Sequence, residues 1–448
     1  MSEFTVSLIG CTENPQTLSV VGALGCFEEK SSAQLLEELS RLPEDQRLKK
    51  EKAVLKNTFG RGHGSVGDQN CFIFSIENLP RAATLQLCLP EYLGHLQQSL
   101  RRAKASRGFY LPETIKNSKL AAEAEKTLLQ SFDLYEKMVQ TGIPSEDARF
   151  LLPLYTKTNI QTAGNARELC HLWQMSNRDG VPSVVKAVAG EMFSLAKEKA
   201  PYLFEDFGFN YETLAWYPSA QLFALTNASL KRLIRLLQNK PFIFLGWIGK
   251  NSVFPTSMVS EMVTEAVTKK NEVELANLKH IHFEFLSSMS LACFHQAIRQ
   301  RTWDQSVESI YDAIDMALGS EDRRMVIPPS IKKSDFASIY QCLHAKMLDL
   351  YAELIANGIP KSEAIGVIPH SLRIYDLIHV NGWNALHSIG KRACIQAQWE
   401  IRKIVWQIAK IIKKKLPSLG QWTEPQCVTY GGKCPEIKDC GYYKKIGR

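Results

Sequence analysis

Apolar residues along this chain follow strand and helix periods in turn, and the same order of periods occurs twice. Phe4 to Ile9 reads as a strand, and Leu35, Leu36, Leu39 and Leu42 mark a helix face. Residues 71–76 (CFIFSI) predict a second strand with apolar residues on both faces. A helix should start at about Pro80, with Ala82, Leu85 and Leu89 at helical spacing. The clearest helix spans 118–140, where Leu128, Leu129, Phe132, Tyr135 and Val139 are expected inward; Gly142 and Pro144 stop it. The plan then recurs. Residues 280–285 (HIHFEF) alternate as a half-buried strand, and Leu291, Phe294 and Ile298 mark the helix after it. Residues 334–357 match the long helix, with Phe336, Ile339, Leu343, Leu350 and Leu354 expected inward before Gly358 and Pro360.

The recurrence is written in the residues themselves. TGIPSEDARFLLP at 141–153 returns as NGIPKSEAIGVIP at 357–369, an offset of 216. The same offset joins Asn165 to Asn381 and His171 to His387. Two fused copies of one domain explain this better than chance. Each copy has lost different polar residues. Arg149 faces Ile365 in the alignment, and Arg392 faces Ser176. Such complementary loss implies that the copies share a site. The expected domains are 1–205, 206–415 and a Cys/Gly/Pro-rich tail, 416–448. The stretch 206–275 holds SLKRLIRLLQNK and PFIFLGWIG and is too apolar for a linker, so it is taken as the diverged start of the second copy.

Composition adds limits. An apolar fraction of 45% and a charged fraction of 22% are ordinary for a globular chain of 448 residues. No run of 18 apolar residues and no signal-peptide pattern is present, so a cytoplasmic protein without a membrane span is expected. Eleven scattered cysteines fit reduced thiols rather than a disulfide framework. Cys427, Cys434 and Cys440 are spaced C-x6-C-x5-C, which misses the usual zinc spacing and lacks an obvious fourth ligand, so no metal is expected. The net charge of +8 suits an anionic small molecule. KIIKKK at 410–415 reads as a solvated helix end, and no nucleic-acid module accompanies it.

Several motifs carry candidate chemistry. GHGSVGD at 62–68 sets His63, Ser65 and Asp68 among glycines that allow close backbone approach; the plain alternative is a surface turn. QQSLRR at 97–102 offers Gln97, a Ser99 hydroxyl and the Arg101 guanidinium, a phosphate grip or simply a basic helix end. Arg149 sits in an apolar context and needs a partner, either a ligand or Glu146 or Asp147. In NARELCHL at 165–172, Arg167 and His171 share a helix face that begins at Asn165. In the second copy Gln296, Arg299, Gln300 and Arg301 could hold a pyrophosphate and a pyrimidine, with Gln296 and Arg299 on one helix face. RACIQAQWEI at 392–401 presents Arg392, a permanent charge for developing anions or an ion-pair partner of Glu400.

Taken in order, these motifs resemble the FAD-dependent thymidylate synthase family, over most of 1–205 and 270–415. The resemblance implies an α/β (α+β) fold, each copy a mixed sheet with long helices. It implies conversion of dUMP to dTMP, with methylenetetrahydrofolate as carbon donor and FAD, recharged by NADPH, as hydride source. No cysteine nucleophile is required. His63, Ser65, Asp68, Asn165, Arg167, His171, Arg299, Gln300 and Arg301 would face FAD. Gln97, Ser99, Arg101, Arg149, Gln296, Arg299 and Arg392 would face dUMP, and Arg392 would be catalytic. The family has a carboxylate at Gln97 and a histidine at Gln300. Its homotetramer would be rebuilt here as a homodimer, a pseudo-tetramer. The rivals are a related enzyme acting on another pyrimidine nucleotide, and a non-catalytic flavin- or nucleotide-binding paralogue.

Overall fold

Alternating apolar residues in short runs build two sheets of four strands. The computed structural model describes residues 3–205, 218–248, 256–437 and 439–447. The first sheet holds β1 (Thr5–Cys11), β2 (Phe72–Pro80), β3 (Gly94–Gln97) and β4 (Lys157–Gly164) in the order β1-β2-β4-β3. The second holds β5 (Phe242–Ile248), β6 (His282–Ser290), β7 (Asp304–Val307) and β8 (Arg373–Asn381) in the order β5-β6-β8-β7. The order is the same in both, as two copies of one domain require. Every pairing is antiparallel rather than mixed. β2 and β3 do run parallel, linked through the helix Arg81–Leu87, but β4 inserts between them.

The first strand of each sheet is bulged at the same place. Register slips between Leu8 and Gly10 in β1, and between Phe244 and Gly246 in β5. A bulge kept at one position is a built feature of a fold. It gives 242–248 the place in the second sheet that β1 has in the first. The parts of 206–275 at 206–217 and 249–255 lie outside the described residues.

Five helices frame the candidate residues: α1 (Ala121–Gln140), α2 (Ala166–Ser176), α3 (Leu291–Ala297), α4 (Ala337–Ala356) and α5 (Trp399–Lys415). On α1 the buried stripe runs through Ala124, Leu128, Leu134, Tyr135 and Met138. Leu129, expected inward, is 49% exposed, and Ile339 on α4 is 53% exposed. Adjacent residues lie roughly 100° apart on a helix. Leu128 and Leu129 therefore cannot both sit at the centre of one stripe. Among the described residues no helix is long and apolar enough to cross a membrane.

The chain forms two compact units: residues 1–224 with 328–369, and residues 225–327 with 370–448. Inside the first unit α1 packs on α4. There Lys346 donates to Gln130 Oε1 at 3.1 Å, across the repeat offset of 216. Pro153 and Pro369, again at that offset, form an antiparallel bridge, and Leu154 N donates to Ile368 O at 2.8 Å. A residue that meets its own counterpart marks a twofold axis, here a pseudo-twofold. The symmetry is broken beside it. A Cβ added to Gly366 would lie 2.2 Å from the ring of Tyr155, which is wholly buried and donates its hydroxyl to Ser362 O.

In the second unit, Ile374, Ile378 and Val380 of β8 are wholly buried, as are Ile401, Val405 and Ile408 of α5. One residue on that strand face breaks the apolar run. Asp376 is wholly buried, neither carboxylate oxygen has a hydrogen bond, and burial pushes its carboxyl well above the usual range. The first copy has Ile160 at this register, opposite Gln97 as Asp376 is opposite Val307.

Candidate functional site

Three clusters hold the candidate residues. The first lies at the start of α2. Asn165 is the N-cap of that helix, and its Oδ1 accepts from Glu168 N at 2.9 Å. Such a cap satisfies a backbone donor that the helix leaves open. Asn381 caps the equivalent turn in the second copy, accepting from Asn384 N at 2.9 Å. The other end of Asn165 donates to Asp68 Oδ1 at 3.0 Å, and Arg167 Nη1 donates to Asp68 Oδ2 at 3.0 Å. Asp68 thus fixes Arg167, whose side chain remains 42% exposed. The glycine loop lies against this arginine. A Cβ on Gly64 would sit 2.9 Å from Arg167 Nε, and one on Gly67 would sit 2.4 Å from the Phe59 ring. These glycines therefore make room for protein side chains. His63 and Ser65 stand exposed on the same loop. His171 does not join them. It is buried one turn along, with Nδ1 3.2 Å from Glu168 Oε1. In the second copy Trp383 replaces Arg167 and stacks on His387, with ring centroids 5.1 Å apart.

The second cluster surrounds the short helix Ser145–Ala148. Arg101 Nε bonds Glu146 Oε2 at 2.5 Å, and Ser145 Oγ donates to Arg101 O at 3.1 Å. Ser99 Oγ accepts from Arg101 N at 3.3 Å. Arg149 is buried, and its Nε donates to the backbone carbonyl of Glu146 at 3.2 Å. Ser99, Arg101 and Arg149 are therefore brought together. Glu146, one of the two carboxylates expected near Arg149, bonds Arg101. Asp147 accepts from Ser330 Oγ at 2.5 Å. Gln97 points elsewhere, donating to Thr84 Oγ1 at 3.3 Å.

The third cluster is in the second unit. α3 ends at Ala297, so Arg299 lies in the following turn and does not share a helix face with Gln296. Gln300 N donates to Ala297 O at 2.8 Å and Trp303 N to Gln300 O at 2.9 Å. This turn is pinned by residues that were not among the expected site residues. The Trp303 indole donates to Ser388 Oγ at 2.7 Å, and Asn384 Nδ2 donates to Thr302 O at 2.6 Å. Ser388 belongs to a π-helical turn, Ala385–Ile389, directly before the helical turn Gly390–Ala393 that carries Arg392. π-Turns often mark functional sites. With its amide oxygen turned toward Arg392, Gln300 accepts from Nε at 2.7 Å and from Nη2 at 2.6 Å. Both residues line a cavity of 410 Å³. Arg299 is half-buried and Arg301 exposed on the same turn.

Glu400, the alternative partner for Arg392, is engaged otherwise. It is buried and accepts from Ser290 N at 2.9 Å and Ser290 Oγ at 2.5 Å. Burial pushes its carboxyl up to about 7, against the pull of those two bonds.

Comparison with known proteins adds three observations. The family described as "Thymidylate synthase complementing protein" matches residues 7–202 and 262–418. A flavin-dependent thymidylate synthase of Geobacter sulfurreducens is 32% identical over 208 residues, 45% of this chain and 86% of that protein. One of Sulfurisphaera tokodaii is 32% identical over 158 residues, 35% of this chain, which spans only 62% of that relative's length. One of Pyrococcus abyssi is 29% identical over 194 residues, 42% of this chain and 76% of that protein. Among solved structures, the UMP/dUMP methylase PolB of Streptomyces cacaoi, bound with 5-Br dUMP, aligns at 17% identity and a TM-score of 0.40. The alignment covers 46% of this chain and 96% of that one.

Proposed function

From the premise that the chain belongs to the thymidylate synthase complementing protein family, we infer that it is a flavin-dependent thymidylate synthase. It converts dUMP to dTMP, taking the carbon from methylenetetrahydrofolate and the hydride from FAD that NADPH has reduced. The observation that carries this reading is Arg392, held by Gln300 at the wall of a cavity.

The geometry accounts for what Arg392 does. A guanidinium has five N–H donors in a planar fork. Gln300 fixes two nitrogens of the fork with a neutral oxygen. A carboxylate in that place would cancel the charge, whereas an amide orients it and leaves it intact. The oriented guanidinium would then stabilise negative charge that develops on the pyrimidine. A protonated histidine at position 300 would repel the guanidinium, so glutamine suits this role.

The donors around α2 fit FAD. Arg167, fixed by Asp68, offers a cation to phosphate, and the exposed His63 and Ser65 offer an imidazole and a hydroxyl. Bound and reduced, FAD supplies the hydride. Arg101, Arg149 and Ser99 suit the phosphate of dUMP, as do Arg299 and Arg301 from the second copy. Neither copy has the full set, because Arg149 is absent from one and Arg392 from the other. The activity therefore needs both copies, in a chain that pairs as a homodimer.

The test is direct. Purified protein should be yellow, bleach with NADPH, and form dTMP from dUMP and methylenetetrahydrofolate. A residue 1–205 fragment should form none. Colourless protein, or a full chain that bleaches yet methylates no dUMP, refutes the reading.

A further inference from the structure

The cavity beside Arg392 has a second property. Four thiols line it: Cys394, two residues past Arg392, and Cys427, Cys434 and Cys440 from the tail. None is in a disulfide. Cysteine used as a packing residue is buried in the core, as Cys170 and Cys293 are. Cys434 and Cys440 are only half-buried, on a stretch with little core of its own.

The backbone between them is built to turn. Gly431, Gly432 and Gly441 have φ values of 62°, 94° and 70°, the left-handed region that glycine tolerates. Gly432 N closes a loop onto Cys427 O at 2.7 Å. Lys391 lines the same cavity and brings a positive charge to its wall.

We propose that Cys394, Cys427, Cys434 and Cys440 bind a zinc ion. Four thiolates are the soft, tetrahedral donor set of a structural zinc site. Binding turns Zn²⁺ and four thiols into a tetrathiolate of charge −2 and releases four protons, and Lys391 on the same cavity wall offsets part of that charge. Among the described residues no three such donors already stand in ligating geometry. Binding therefore requires the four thiols to close in on one another, which couples metal binding to local folding. All four positions are filled by protein, so the zinc performs no Lewis-acid step. It fixes the tail as one wall of the Arg392 cavity.

The experiment uses the full chain, purified with reductant and without chelator, then dialysed with zinc salt. Expected are one zinc per chain and four sulfur neighbours at the zinc X-ray absorption edge. Cobalt should give thiolate charge-transfer and tetrahedral d–d bands. Cys394→Ser and Cys440→Ser should each lose most of the metal, and Cys342→Ser should keep it. If a variant fails to fold, alkylation of the native wild type decides. The four thiols should be protected with zinc and labelled once it is chelated. A zinc-free chain, a sulfur count other than four, or full zinc retention in Cys394→Ser overturns the proposal. Equal labelling with and without zinc also overturns it. Metal content is read whether or not dTMP forms.

Discussion

Replacing Asp376 by valine is expected to stabilise the protein. The carboxyl is wholly buried and neither oxygen is hydrogen-bonded. A buried polar group left unsatisfied costs about 1–3 kcal/mol. Valine removes both acceptors, has nearly the volume of aspartate, and suits a central strand. The gain should also depend on pH. Burial raises the carboxyl well above its ordinary 3.8. The unfolded chain releases this proton above about pH 4 while the folded chain keeps it. Wild-type stability is therefore fully present below pH 4 and falls as pH rises toward the folded pKa, by about 1.4 kcal/mol per pH unit. The valine variant lacks that slope. Its advantage should be about 1–3 kcal/mol near pH 4 and larger at neutral pH. Asp376→Asn should remove the slope but keep unsatisfied atoms. Urea unfolding midpoints at pH 4, 5, 6 and 7, with unchanged m, measure this. A valine variant no more stable than wild type, or an advantage that does not grow with pH, refutes the argument.

Other expectations follow from the same geometry. Glu400 is raised to about 7, so its contribution is present below 4.5 and lost as pH climbs to about 7. That amounts to about 3 kcal/mol; Glu400→Gln should flatten this part of the thermal-unfolding profile while keeping a bond to Ser290. Arg392→Ala should lower dTMP formation a hundred- to thousandfold, about 3–4 kcal/mol, with NADPH still bleaching the flavin; near-normal turnover would make this arginine structural. Gln300→Leu should lower kcat about tenfold or more, because two charge-assisted bonds that orient Arg392 are lost; an unchanged kcat would remove Gln300 from the reasoning. Gly366→Ala should destabilise by about 1–3 kcal/mol through overpacking against Tyr155, read as a lower Tm.

Much of this was legible in the residues, because the repeat is a sequence signal and long helices have a strong period. That both sheets share one strand order follows from it. What escaped depends on contacts between distant segments. Nothing local to Gln300 says that it holds Arg392, or that Trp303 bonds Ser388. The π-turn at Ala385–Ile389 is a shift of hydrogen bonds with no residue signature of its own. That Asp68 holds Asn165 and Arg167 could not be read from its own loop. Nor does the local spacing show that Cys394, before α5, lines one cavity with the three tail cysteines.

The glycine–tyrosine contact beside the pseudo-twofold axis carries a historical consequence. In a dimer of identical subunits every substitution near the axis appears twice, so a bulky residue and the gap that receives it must evolve in one sequence. Fusion removed that restriction, and here the bulk is Tyr155 and the gap is Gly366. At the repeat offset, Gly366 corresponds to Phe150 and Tyr155 to Ser371. Two first copies meeting across such an axis would drive Phe150 toward Tyr155, while two second copies would set Gly366 toward Ser371. The first pairing is overfull and the second hollow. The halves have become key and lock for each other, a ratchet that turns a reversible association into a permanent one.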